Sequence, residues 1–264
     1  MLAGRISLDR YRRPLGIAAG ALVLAFAAGW ECKVNLADLV KGIDRGSHVL
    51  RMFFPPAWDA VPELVAPALV TLLIALAATP IGAAFSILAA LAAARTIAPP
   101  WIRNSARLLI AVERGTPEIV LALLLVCAFG PGPFAGVMAL AVASVGMLGK
   151  LMADAIEEID PGVLESVRAT GASGWQVIRY AVFPEVLPAL YANSIFRFDA
   201  NIRASFLLGA IGAGGIGYEV HAAMIRLEFD RATIAVGYSL LVVFLAERMS
   251  DALRARLFAG GRLR

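Results

Sequence analysis

The sequence predicts an all-α membrane protein with six transmembrane helices. Sixty per cent of its 264 residues are apolar, against about 45–50% in soluble domains, so the excess calls for lipid rather than a larger core. The apolar residues fall in runs near the ~20 residues that a helix needs to cross a bilayer. Alternation of period two is absent, which argues against a transmembrane barrel.

Residues 1–14 form a basic tail with Arg5, Arg10, Arg12 and Arg13. Leu15–Trp30 is the first span, and a loop follows over 31–63. "AFA" (Ala25–Ala27) after a basic start also has the look of a signal-peptide cleavage site. A retained helix is favoured, because six spans return the basic C-terminus to the side of the N-terminus. The second span, Leu64–Ala94, ends before Pro99-Pro100, and the third is Ser105–Gly130. "GPGPFAG" (Gly130–Gly136) turns the chain into the fourth, Pro133–Ile159. Glu185–Ile211 and Ala232–Leu253 complete the set, making a five-helix core over 64–253, and 254–264 is a second basic tail.

Arginine near span ends sets orientation. Arg95, Arg103 and Arg107 after the second span, and Arg254, Arg256, Arg262 and Arg264 at the C-terminus, lie on the side of the N-terminal arginines. That side is expected to be cytoplasmic, with 31–63 extracytoplasmic. The net charge of +4 is too small and dispersed for a nucleic-acid surface. Cys32 and Cys127 imply no disulfide framework, and His48 and His221 form no metal-ligand pattern.

"DPGVLESVRATGASGWQVIRYAVFPEVLP" (Asp160–Pro188) is a charged interruption between apolar runs. Asp160 suits an N-cap and Pro161 the first helical position. Gly171 suits the left-handed residue after a helix end. Ser173 and Gln176 have the spacing of a capping box that opens a second helix. Asp160, Glu165, Arg168 and Arg179 would each cost ~2.5–3.5 kcal/mol at the bilayer centre, so the segment stands clear of it, on the cytoplasmic side. Val163, Leu164 and Val167 share one face, and Trp175, Ile178 and Val182 another. The prediction is a helical knob over 160–184, shaped to fit a groove on a partner.

That stretch resembles the coupling loop of binding-protein-dependent ABC importer permeases, whose pattern is Glu-Ala-Ala, then Gly, then Ile-x-Leu-Pro. Glu165, Ala169, Gly171, Ile178 and Pro184 sit in matching places, with Ser166 and Phe183 as departures. The resemblance implies ATPase-coupling roles for Glu165, Arg168, Ala169, Gly171 and Ala172. "FFPPAW" (Phe53–Trp58), "ERGTPE" (Glu113–Glu118), "FRFDANIRAS" (Phe196–Ser205) and "LGAIGAGGIGYEV" extend it to the phosphonate-type permeases, from about residue 50 onward. It implies a type I ABC importer permease-like fold with one extra N-terminal helix. It also implies an inner-membrane transport subunit for phosphonate, phosphite or phosphate, working with a cytoplasmic ABC ATPase dimer, an extracytoplasmic substrate-binding protein and a second permease copy, most simply a homodimer. ATP and Mg would be bound by the ATPase, and no catalytic, cofactor or metal site is expected in this chain.

Ionisable residues within a span are functional candidates. Arg197, Asn201, Arg203 and Ser205 on the fifth span, with Arg114 on the third, are candidates for an oxyanion pathway, since guanidinium donates paired hydrogen bonds to oxyanions. The alternative is structural pairing of Asp199 with Arg203 and of Arg114 with Glu118, each four apart. Lys150 and Asp154 also have that spacing. "GAGGIG" (Gly212–Gly217) matches a dinucleotide-binding pattern but lacks the preceding strand that pattern needs; glycines there suit a sharp turn. No G-x-x-x-x-G-K-[ST] occurs in these residues. A self-sufficient secondary carrier or intramembrane enzyme would need a coupling-ion site or a clustered nucleophile, acid and base, and the sequence presents neither.

Overall fold

The computed structural model describes residues 9–33 and 35–259, so Arg5, Arg262 and Arg264 lie outside the described residues. Every regular element among the described residues is helical. The chain divides into two units at Met52–Phe53.

The first unit holds α1 (Asp9–Glu31) and α2 (Leu36–Met52). Ile17, Leu22, Val23, Leu24, Phe26 and Trp30 of α1 are all exposed, as on a helix solvated by acyl chains. The expected loop over 31–63 is largely α2. Apolar residues at 36, 39, 40, 43 and 50 follow helical spacing, and Asn35 Oδ1 accepts from Ala37 N at 2.9 Å, capping the first turn. Interspersed charges hide that periodicity in a search for long apolar runs.

The second unit is built on α3 (Val61–Ala93) and α6 (Pro133–Glu157), which pack against each other along most of their length. Apolar surface gives helices in lipid no reason to associate, so close approach of small residues supplies the attraction. Ala75, Ala78, Thr79, Gly82, Ser86, Ala90 and Ala93 line the buried face of α3. Gly136, Ala139, Ala143, Gly146, Gly149 and Ala153 line that of α6. At the tightest crossing a Cβ on Gly82 would overlap the Ser144 side chain.

The predicted third span is two helices, α4 (Pro100–Gly115) and α5 (Glu118–Phe129). Pro117 biases its predecessor away from the helical region, and Thr116 is extended at φ −87°, ψ 123°. The 12-residue α5 is about 18 Å long at 1.5 Å per residue, well short of a ~30 Å hydrocarbon core. α4 is amphipathic: Ile110 is buried while Trp101, Leu108, Leu109 and Val112 are exposed. Among the described residues, Trp58–Ala93, Pro133–Glu157 and Phe229–Arg256 are long and apolar enough to cross a membrane.

After α6 the chain forms α7 (Pro161–Ala169) and α8 (Gly174–Val177). A π-helical turn over Ile178–Val182 then leads into α9 (Phe183–Leu208). A second wide turn, Gly209–Ala213, breaks at Gly212, whose φ is 112°. Gly214 and Gly215 also have left-handed φ values of 79° and 75°, so "GAGGIG" is the sharp turn its glycines suggest. The chain closes with α10 (Ile216–Ile225) and α11 (Phe229–Ala259).

Candidate functional site

Two arrangements bring sequence-selected residues together: the knob at one end of the bundle, and a polar network where α3, α5, α6 and α9 meet.

The knob is fixed by local hydrogen bonds. Asp160 Oδ1 accepts from Gly162 N at 2.8 Å, and Gln176 Oε1 accepts from Ser173 N at 2.7 Å. Gly171, at φ +79°, turns the chain between the helices, and its N–H donates to Arg168 O at 3.0 Å. Leu164, Val177, Ala181 and Val182 are buried in a cluster with Ala93, Ile110, Met152 and Ile156. Burying each large apolar side chain there contributes about 1.5–3 kcal/mol. The predicted face of Trp175, Ile178 and Val182 needs correction: Trp175 is exposed, and Val177 takes the inward position. The π-helical turn changes the number of residues per turn there, so a face drawn at regular helical spacing drifts.

Glu165, Arg168, Ala169 and Gly171 are exposed on the knob and Ala172 is half-buried. Arg168 Nη2 also donates to Thr96 O at 3.4 Å, a tie to the chain after α3. A concavity of about 550 Å³ lies between the knob's helices, lined by Ser166, Val167, Thr170, Gly171, Gln176 and Tyr180 among others.

In the core, Arg197 is only 5% exposed. Its Nε donates to Ser144 Oγ at 2.9 Å, and its Nη2 donates to Glu118 Oε1 at 3.0 Å. Asn201, one helical turn on, donates from Nδ2 to Thr79 Oγ1 at 3.0 Å and to Ser144 Oγ at 3.3 Å. Both hydroxyls direct their own hydrogens to carbonyls of their helices, Thr79 to Ala75 O and Ser144 to Leu140 O. They are therefore left as acceptors for the α9 donors. Two buried side-chain oxygens lack a hydrogen-bond donor among the described residues, Asn201 Oδ1 and Glu113 Oε2. The Glu113 carboxylate lies against Gly146, where an added Cβ would overlap it.

The remaining candidates lie elsewhere. Ser205 is buried, and its Oγ donates to Ile202 O at 2.7 Å in its own helix. Asp199 and Arg203 do not pair, because α11 supplies closer partners. Asp199 accepts from Ser250 Oγ at 2.5 Å and from Arg254 Nη2 at 3.3 Å. Arg203, half-exposed, stands 3.6 Å from Glu247. Arg114 and Glu118 do not pair either, since the break at Thr116-Pro117 removes the helical geometry that the spacing assumes. Lys150 does pair with Asp154. Ser144 and Thr79 escaped the sequence reading, and Glu113 entered it only as the first residue of "ERGTPE", with no role assigned. Their only signal was a polar residue within an otherwise small, apolar stripe, or beside one.

A family model described as "Binding-protein-dependent transport system inner membrane component" matches residues 82–259. A phosphate-import permease protein of Mycolicibacterium smegmatis is 41% identical over 92% of this chain, which spans 45% of that protein's length. A phosphite transport system permease protein of Stutzerimonas stutzeri is 35% identical over 92% of this chain and 89% of its own length. An inward-facing structure of a methionine ABC transporter superposes with a TM-score of 0.66 at 20% identity, covering 76% of this chain and 99% of that one. An amino acid ABC transporter superposes at 0.62 with 22% identity, covering 75% and 95%. The all-α fold expected from the sequence is the fold of these structures.

Proposed function

Since the chain belongs to the binding-protein-dependent transport system inner membrane components, we propose that it is the permease subunit of an ATP-driven importer for phosphorus oxyanions. The observation that carries the reading is the knob. Its inner face is anchored in the bundle, while Glu165, Arg168 and Ala169 face outward beside a concavity. A rigid projection of this form suits a cleft on a cytoplasmic ABC ATPase dimer, which would bind ATP and Mg and carry out hydrolysis. The knob and both termini then lie in the cytoplasm. A substrate-binding protein delivers the solute on the opposite side, and a second copy of the chain completes the pathway.

The names of the phosphate and phosphite relatives support the substrate class, and Arg197 supplies matching chemistry. Its guanidinium is desolvated and oriented by Ser144, and its outer nitrogen is held by Glu118, whose side chain is 42% exposed. An arriving oxyanion takes Glu118's place on Arg197, an exchange of one oxygen acceptor for another. Asn201 fixes Ser144 from the same helix face. Contacts of this kind are transient, as an importer that must release its solute requires.

The test is ATP hydrolysis by the reconstituted permease and its co-expressed ATPase, with the binding protein loaded in turn with phosphate, phosphite and methylphosphonate. Stimulation by one loaded form supports the reading and identifies the solute. No stimulation by any of them, in a complex that assembles, removes the substrate class.

A further inference from the structure

Outside the Arg197 network, the face of α4 that turns to α6 carries Arg107, Ile110, Ala111 and Arg114, at positions i, i+3, i+4 and i+7 of one helical face. Opposite them stand Lys150 and Ala153 of α6. These residues, with Ala93, line a cavity of about 160 Å³ that no carboxylate among the described residues lines. Three cations around one small cavity repel one another, and two of them are compensated only from outside it. Arg107 donates from Nη2 to Glu157 at 2.5 Å and from Nε to Ala93 O at 2.9 Å. Lys150 pairs with Asp154. Arg114 has no hydrogen-bond partner among the described residues, and Arg107 and Lys150 keep further N–H donors free.

We propose that Arg107, Arg114 and Lys150 form a binding site for a tetrahedral phosphoryl oxyanion, distinct from the Arg197 network. The cavity is roughly five times the ~30 Å³ share of one water molecule, room for a phosphate group. Arginine forks and a lysine ammonium lining one cavity are donors such a group takes. Lys150 lies seven residues before Glu157 on α6, about 10 Å along the axis. At that depth two sources present the same chemistry: the phosphate of an anionic lipid, reached by snorkelling side chains, and a free oxyanion.

The test uses the purified permease–ATPase complex and reads thermal stability against titrated ligand. One arm adds inorganic phosphate in a zwitterionic detergent, with chloride as control. The other compares nanodiscs of phosphatidylcholine with nanodiscs containing phosphatidylglycerol. Stabilisation in the first arm assigns a free oxyanion, and in the second a lipid headgroup. In either case Arg114→Gln, which breaks no side-chain hydrogen bond among the described residues, weakens the response about tenfold. Ala111→Leu, which fills the cavity without touching a charge, does the same. Absence of stabilisation in both arms overturns the proposal. So does a response that survives Arg114→Gln and Ala111→Leu.

Discussion

Arg197 Nη2 and Glu118 Oε1 are 3.0 Å apart although 79 positions separate the residues in sequence. The pair joins the long α9 to the short α5, and only the carboxylate side is open to solvent. Removing either partner has a different consequence. Glu118→Gln leaves a hydrogen bond but no counter-charge. The half-exposed carboxylate lowers the cost of breaking the pair from the ~3–5 kcal/mol of a fully buried one to about 1–2 kcal/mol. Arg197→Ala also deprives Ser144 of a donor and opens a cavity. It is expected to destabilise by about 3 kcal/mol and, if Arg197 receives the solute as proposed, to reduce its uptake more than tenfold. Thermal unfolding in detergent and vesicle uptake of the oxyanion that stimulates hydrolysis check the two effects separately.

Asn201 reaches α3 and α6 at once, through Thr79 and Ser144. Thr79→Val keeps the shape and removes one acceptor, while Asn201→Ala removes both bonds. A double-mutant cycle between positions 79 and 201 is expected to give a coupling of about 1 kcal/mol, within the range of side chains in direct contact. A coupling near zero would show that the bond contributes nothing.

Gly82 has no room for a methyl group, because the added Cβ would overlap Ser144 and approach Ala141 O at 2.9 Å. Gly82→Ala should therefore separate α3 from α6, at a cost of about 1–3 kcal/mol. Gly237 in α11 provides the contrast, since nothing among the described residues lies within 4 Å of its added Cβ. Gly237→Ala should stabilise by about 0.5–1 kcal/mol through helix propensity. Melting temperatures of the two variants should move in opposite directions.

Glu165 is exposed on the knob, so Glu165→Ala should leave folding within about 0.5 kcal/mol of the parent. If the knob docks on the ATPase, uptake per ATP hydrolysed falls severalfold. Gly171→Ala forces a side chain into φ +79° at a cost of about 1–2 kcal/mol, confined to the turn, and lowers the same ratio. Unchanged ratios in both variants would remove the coupling role.

What the sequence made legible is what local chemistry decides. Asp160, Pro161, Ser173 and Gln176 announce helix ends within a few residues of themselves, and the structure forms those bonds. The long apolar runs at α3, α6 and α11 are legible for a similar reason, since each holds the length a bilayer demands. The break at Thr116 was hidden because apolar residues continue on both sides of Pro117, and hydropathy is blind to one backbone angle. Spacing also misassigned Asp199, Arg203 and Glu118, whose partners lie on other helices. The presence of an acid four residues from a base reveals nothing about what α11 or α9 brings nearby.

The knob is the covalent link between α6 and α9, two of the four helices that share the network. Residues 158–160 carry the chain from the end of α6 directly into α7, and α8 flows through its wide turn into α9. Ser144 rides on the first of these rods and Arg197 and Asn201 on the second. About 20 Å of helix, at 1.5 Å per residue, lies between Ser144 and the end of α6. A torque applied to the knob therefore reaches the membrane as shear between two stiff shafts, and the hydrogen bonds to Ser144 Oγ are the latch across the sliding plane.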